Sequence, residues 1–382
     1  MANELHPIGA ELVLVKKESS YGSDPTPAAG DYIYFDTFTA TPKQDALPRV
    51  GRTGAGPGLK AARGGSRVPF SYETELVLPT VTTAAFSDAD LPTIDALMHA
   101  GGWVRRDDTA GGVIYVLADY HSQSSTFYHY SGNEAVDNAN LVKMIGAVAP
   151  ITWEWSAGER IKVSGEGMAL GYATSGASTD VFAATGAARP SITADAGNPA
   201  VATNMVVKII DLSDDSLYGG GTLASPGNNL LVTRAAFNPG QTTNEQLGLS
   251  GVGATARIRA YRDNVATLEL TLEVTDQDEF DPLTLEADAQ ALEISLKAVE
   301  GNNEGLFLIY GVIVDHEFSE ANGIKYYDLT IEAIYPENSG GSPAAGLKPD
   351  QPFTAGTNQG LLLSPNTLAN FGVAVWQFRT TA

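Results

Sequence analysis

Asp119, His121 and His129 are the residues of this chain whose types most readily suggest chemistry. Converging across a hairpin, they would offer one carboxylate and two imidazoles, a donor set suited to a divalent metal. Their spacing matches no metal signature, and surface or edge histidines account for it equally well. Two carboxylate pairs come next, Glu73/Glu75 and Glu269/Glu273. Each pair shares a strand face, which is geometrically possible for paired catalytic acids, but two pairs on equivalent strands describe a repeated acidic surface better than one active site. The other motifs are incomplete. Gly51 to Lys60 is glycine-rich, yet Leu59 precedes Lys60 where a phosphate-binding loop needs glycine. Gly248-Leu249-Ser250-Gly251 is followed by Val252 where a nucleophile elbow needs its second glycine. Asp276, Asp278, Glu279 and Asp281 lack the glycine and distant glutamate of a calcium loop and read as a solvated turn leading into a helix. We therefore expect no enzymatic activity, no cofactor and no metal.

The segment 42–67 is more informative. Lys43, Arg49, Arg52, Lys60, Arg63 and Arg67 face a single Asp45, a balance of 6 − 1 = +5 inside an acidic chain. Six glycines in the same stretch encode little local structure. It reads either as a floppy basic loop or as an arm that orders against the acidic surface of a neighbouring copy, where opposite potentials set the register.

These segments need a scaffold. The chain has 382 residues with 43% hydrophobic content, enough to bury more than one core. Acidic residues outnumber basic ones 45 to 23, a net charge of −22, which argues against tight nucleic-acid binding. Cysteine is absent, excluding disulfides, thiolate zinc sites and a cysteine nucleophile. The opening Met1-Ala2-Asn3-Glu4 has neither a basic start nor an apolar stretch, and no apolar run reaches the roughly 20 residues of a membrane span, so we expect a soluble protein made in the cytoplasm.

Alternation of period 2 dominates, and the fold class we expect is mainly β. Val68, Phe70, Tyr72, Leu76 and Leu78 alternate with polar residues; so do Leu268, Leu270, Leu272 and Val274. A helical signal follows each strand. Asp90-Leu91-Pro92 opens the first, ending at Gly101-Gly102, and Asp281-Pro282 opens the second. Hairpins come after: 113–120 with 126–130, 151–155 with 161–172, 292–299 with 306–318, and 306–318 with 324–334 through Asn322-Gly323. This order of long strand, short helix and hairpins occurs twice. It predicts two β-rich domains, 1–180 and 199–336, followed by a linker and C-terminal arm, 337–382, in which only 373–378 reads as a strand.

The opening Tyr21-Gly22-Ser23-Asp24-Pro25-Thr26-Pro27, the Arg/Gly-rich loop and Val68-Pro69-Phe70-Ser71-Tyr72-Glu73-Thr74-Glu75-Leu76 resemble the start of tail tube (major tail) proteins of long-tailed bacteriophages. Leu97-Met98-His99-Ala100-Gly101-Gly102-Trp103 is similar to the family's short helix running into glycine. Tyr128 to Asn133 with Lys143 to Ala147, and Gly323 to Ala333, resemble its later hairpin and last strand. The resemblance spans residues 10–335.

It implies two tandem tail-tube-type β-sandwich/barrel domains, each with one short α-helix, plus a C-terminal extension. The chain is long for one tube domain, which favours homotrimeric rings with pseudo-sixfold symmetry over the family's hexamers. Such rings, closed by strands of adjacent subunits, stack into a tube in the virion, house a tape-measure protein during assembly, meet tail terminator and distal tail proteins, and pass DNA without binding it. A trimer carries 3 × −22 = −66 charges. Glu73, Glu75, Glu269 and Glu273 are the expected lumen-facing acids; Arg49, Arg52, Lys60, Arg63 and Arg67 are the expected inter-ring contacts. A tube terminator or baseplate-side ring of the same fold, and a carbohydrate-binding surface β-sandwich using the chain's Tyr and Trp residues, are the competing readings.

Overall fold

The computed structural model describes residues 11–47, 62–79, 91–108, 112–118, 120–121, 123–131, 139–170, 182–187, 190, 192, 199–202, 206–211, 217–222, 231–247, 255–273, 280–301, 303–334 and 374–380. The chain is mainly β. Its first elements are β1 (Glu11–Lys17), β2 (Thr37–Ala40), β3 (Lys43–Leu47), β4 (Ala62–Glu75) and helix α1 (Asp95–Ala100). Then come β5 (Trp103–Asp108), β6 (Gly112–Leu117), β7 (Tyr120–His121), β8 (Ser125–Ser131), β9 (Ala139–Val148), β10 (Ile151–Ser156), β11 (Lys162–Leu170) and β12 (Phe182–Ala187). The latter part holds β13 (Val206–Asp211), β14 (Leu217–Thr222), β15 (Leu231–Asn238), β16 (Gln241–Leu247), β17 (Thr255–Arg262), β18 (Thr267–Glu273) and helix α2 (Pro282–Ala287). It ends with β19 (Leu292–Glu300), β20 (Asn303–Ala321), β21 (Ile324–Ala333) and β22 (Ala374–Thr380).

Every ladder among the described residues is antiparallel. One sheet runs β2–β4–β11–β10–β15–β18–β21–β20, with β3 beside the start of β4. A second runs β14–β13–β19–β20–β22–β6–β5, so the long β20 serves both sheets, one with each half. A third, β1–β8–β9–β12, joins the first where the end of β9 meets the end of β11. The hairpin β16–β17 forms a separate sheet with β7.

The same set of pairings occurs twice. In the first set, β2–β4–β11–β10 forms one sheet and β1–β8–β9–β12 the other. In the second, β15–β18–β21–β20 and β13–β19–β20–β22 repeat that order. The pair β10–β15 joins the two sets edge to edge.

Alternation explains the core. Val68, Phe70, Tyr72, Leu268, Leu270 and Leu272 are all 3% exposed or less, and one continuous apolar cluster runs through both sets. The two expected domains, 1–180 and 199–336, both contribute to this cluster. Aromatic rings fill the space behind the β10–β15 joint: Trp153 meets Trp376 with ring centroids 4.7 Å apart, and Phe307 contacts Phe237 at 5.0 Å and Trp155 at 5.2 Å. Gly165 is opposite Tyr72, whose ring takes the space of the missing Cβ.

Several local expectations changed. Helix α1 begins at Asp95, not near Asp90; residues 93–94 form a turn in which Asp95 N–H donates to Pro92 O at 2.9 Å. Helix α2 starts as expected, with Asp281 accepting from Leu283 N–H at 3.1 Å and Pro282 in the first turn. The proposed hairpin of 113–120 with 126–130 does not form. β6 pairs with β5 and β22, while β8 pairs with β1 and β9. The turn at Asn322-Gly323 has φ of 55° and 78°, as a tight two-residue hairpin requires. The strand expected in the C-terminal arm forms, but at the centre of a sheet: β22 lies between β20 and β6, with Trp376 and Phe378 fully buried.

Candidate functional site

The strongest candidate surface is the polar face of the large sheet, opposite its aromatic core face. Register sets its composition. Glu75 lies opposite Lys162, Lys162 opposite Glu154, Glu154 opposite Ala236, Ala236 opposite Glu269 and Glu269 opposite Thr330. Directly paired residues point to the same side of a sheet, so this row crosses six strands on one face. The neighbouring row, Glu73–Ser164–Thr152, lies on the same face.

The four sequence-predicted acids are not equivalent there. Glu269 is exposed, and Glu73 and Glu273 are half-buried. Glu75 is buried at 7% exposure and paired with Arg160, which also approaches Asp36 at 3.6 Å. It thus adds little charge to the open surface. Glu154, on the same face and not singled out in the sequence, shares one cation with Glu269. Arg234 reaches Glu154 at 3.1 Å and Glu269 at 3.4 Å, so a single guanidinium spans carboxylates from β10 and β18.

The surface is hollowed. A groove of about 670 Å³ lined by Ser71, Glu73, Thr152, Ser164, Asn238 and Thr242, among others, adjoins a smaller hollow of about 220 Å³ reaching Glu269. Its polar lining is mostly hydroxyl and amide groups, interspersed with Pro69, Pro150, Pro239 and Met168. With Glu73 and Glu166 beside these groups, the arrangement provides a polar, acid-bearing wall.

The basic residues divide. Arg49, Arg52 and Lys60 lie outside the described residues. Arg63 is on β4, paired in register with Ala46 of β3. Arg67 donates to Glu245 of β16 at 2.6 Å, so its charge is engaged within the chain. The segment expected as a long loop has strand structure at both ends.

The histidine set is not assembled. Asp119 lies outside the described residues, the backbone of His121 pairs with β17, and His129 of β8 lies 3.5 Å from Glu11. Among the described residues, no group of three or more His, Cys, Asp or Glu is placed to hold a metal. The segments 248–252 and 276–279 also lie outside the described residues.

Two buried polar networks escaped the sequence reading. The Glu18 carboxylate, 7% exposed, accepts from Gly22 N–H, Ser124 Oγ, Thr126 Oγ1 and Gly146 N–H at 2.6–2.7 Å. Asp95 accepts from Tyr115 Oη at 2.5 Å and pairs with Lys17 at 2.6 Å. Nearby, burial and the Lys17 charge lower the pKa of His99 from 6.5 to about 4. Both networks tie β1 to the helix and hairpins, a structural role. Neither shows in sequence because its members are dispersed along the chain.

Among the described residues, no helix is long and apolar enough to cross a membrane. No family model and no curated protein matches this chain, so the function rests on the geometry of the sheet face and its edges.

Proposed function

We propose that this chain is a structural subunit of a phage tail tube, with two tandem tube-type domains, and that it assembles into stacked rings whose acidic sheet face lines the channel for DNA. The observation that carries this reading is the β10–β15 joint. The chain pairs the last strand of one four-stranded unit with the first strand of the next, and among the described residues β2 and the C-terminal half of β20 pair on one side only. In the repeated order, β2 corresponds to β15 and the C-terminal half of β20 corresponds to β10. A second copy can continue the sheet by the joint already made within the chain. Such head-to-tail contacts close into a ring when the rotation per unit fits, and closure removes the open edges.

Side chains at the edge agree. Trp153 is opposite Val163 in β10–β11, and Phe318 holds the corresponding place opposite Tyr327 in β20–β21. Trp153 is 1% exposed because β15 and the aromatic cluster cover it, whereas Phe318, at the open edge, is 56% exposed. A neighbour's β2 would bring Ala40 beside it, the counterpart of Phe237 beside Trp153. With two units per chain, three chains supply six units per ring.

The acidic face suits a conduit. Carboxylates on the wall repel phosphates, and neutral hydroxyls offer no firm hold, within a screening length of about 8 Å at physiological salt. Negative-stain electron microscopy over a concentration series, with particle mass measured on the same samples, tests the proposal. Hollow rings or tubes with three chains per ring are expected; monomers at every concentration, even with an added tape-measure protein, would sink it.

A further inference from the structure

We propose that the basic segment 43–67, whose two ends pair as β3 and the start of β4, lies across the sheet of a second copy of this chain, on the surface formed by Val265, Val312, Glu332 and Ile334. The inference rests on the ring reading above and names a contact between neighbours within one ring. It also differs from the ring-to-ring role that the charge of this segment suggests from sequence.

The chain contains one example of such a seat. Hairpin β16–β17 is inserted between β15 and β18, and the segment 43–67 is inserted at the corresponding place, between β2 and the buried part of β4. β16–β17 reaches across the joint to the first set of strands. Ile258 and Ala260 pack on Val148 and Leu170, which are fully buried. Arg257 lies 5.0 Å from the Tyr21 ring centroid, and Glu245 accepts from Arg67. One set thus receives the hairpin of the set whose first strand it pairs with. By the same rule, the hairpin of the first set belongs on the second set of another copy, the copy whose β20 edge meets β2.

Register locates that second seat. Pro69, Met168 and Val148 form one row of the first set; Thr267, Glu332 and Val312 form the corresponding row of the second. Counting from these rows, Ile334 corresponds to Leu170 and Val265 to Arg67. The second seat is less covered than the first: Val265 is 47% exposed, and Val312 and Ile334 are half-buried where their counterparts Val148 and Leu170 are fully buried. Its chemistry has also changed in the direction of the incoming segment. Glu332 stands where the first seat has Met168, and the exposed Asp315 is nearby on β20, while residues 42–66, leaving out the internally paired Arg67, carry five cations against one Asp. Opposite charges would fix the register of the hairpin on its seat.

The chain has no cysteine, so engineered thiols report the contact without background. Ala62 precedes Pro69 by as many residues as Ala260 precedes Thr267, which places it over Val312. Full-length Ala62→Cys and Val312→Cys proteins are mixed and oxidised; in parallel, Thr39→Cys and Ser319→Cys report the sheet edge. The expected result is a disulfide-linked dimer from both pairs, in particles of single-ring mass. Linkage at the edge without linkage of the hairpin pair, or hairpin linkage confined to particles heavier than one ring, would overturn this inference and leave the ring reading intact. Monomers linked by neither pair would overturn both.

Discussion

Glu75 and Glu269, from opposite halves of the chain, stand in one transverse row of the large sheet, separated by Lys162, Glu154 and Ala236 on the intervening strands. Their surroundings differ: Glu75 is buried against Arg160, and Glu269 is open to solvent beside Arg234. The row makes the acidic face a property of the joined halves, since neither half alone spans it.

Reversing the open acids should change how the wall treats DNA. The triple variant Glu73→Lys, Glu269→Lys and Glu273→Lys leaves the buried Glu75–Arg160 pair untouched and should fold and assemble. Its tubes should retain double-stranded DNA at low salt and release it as salt rises, because added cations recover counterion-release affinity. A filter-retention assay across a salt series checks this, and equal passage through wild-type and variant tubes would exclude a role for the acidic face.

Phe318→Asp should block ring closure with little cost to the fold. The ring is 56% exposed, so its loss removes little core packing, about 0.5 kcal/mol or less. Light scattering should report monomers where the wild type forms rings, while thermal melts of the two monomers coincide.

Trp376→Ala should destabilise the whole chain by about 3 to 5 kcal/mol, since the side chain is fully buried among Trp153, Phe307 and Phe378. Ending the chain before Ala374 should be worse still, for β20 and β6 would lose the strand that joins them. Urea titration of purified protein measures the first effect, and soluble yield the second.

Glu18→Ala would strand four buried donors that now share one carboxylate. We expect a loss of about 3 kcal/mol by denaturant unfolding. Glu18→Gln, which keeps an acceptor oxygen, should recover part of it.

Stability should fall on the acid side of neutrality through His99. Its folded pKa, about 4, lies below the unfolded value of 6.5, so the unfolded state binds the extra proton first. The contribution is intact above pH 6.5 and is lost progressively down to pH 4, amounting to about 3 kcal/mol over that window. Urea midpoints measured between pH 7 and pH 4 should show a shallower decline for His99→Gln than for wild type.

Much of the local structure was legible because it depends on neighbours in sequence. The alternation at Val68–Tyr72 and Leu268–Leu272, the Asp281-Pro282 helix start and the Asn322-Gly323 turn each follow from period, cap or backbone conformation within a few residues. Glu73, Glu269 and Glu273 were legible as outward acids for the same reason. Glu75 was not, because Arg160, its partner, comes from a distant turn.

By itself, then, the sequence determined the strand-rich class, the two short helices, the acidic balance and the basic segment, all consequences of composition and short-range periodicity. Only the tertiary structure decided which strands pair. Val113–Leu117 pairs with β5 and the C-terminal β22 and not with β8, the two sets of strands share one core through β10–β15, and Arg67 is held by Glu245. Alternation states which face of a strand is apolar but carries no label for its neighbour. Partner choice is settled by long-range packing, here by aromatic rings contributed from remote parts of the chain to one interior.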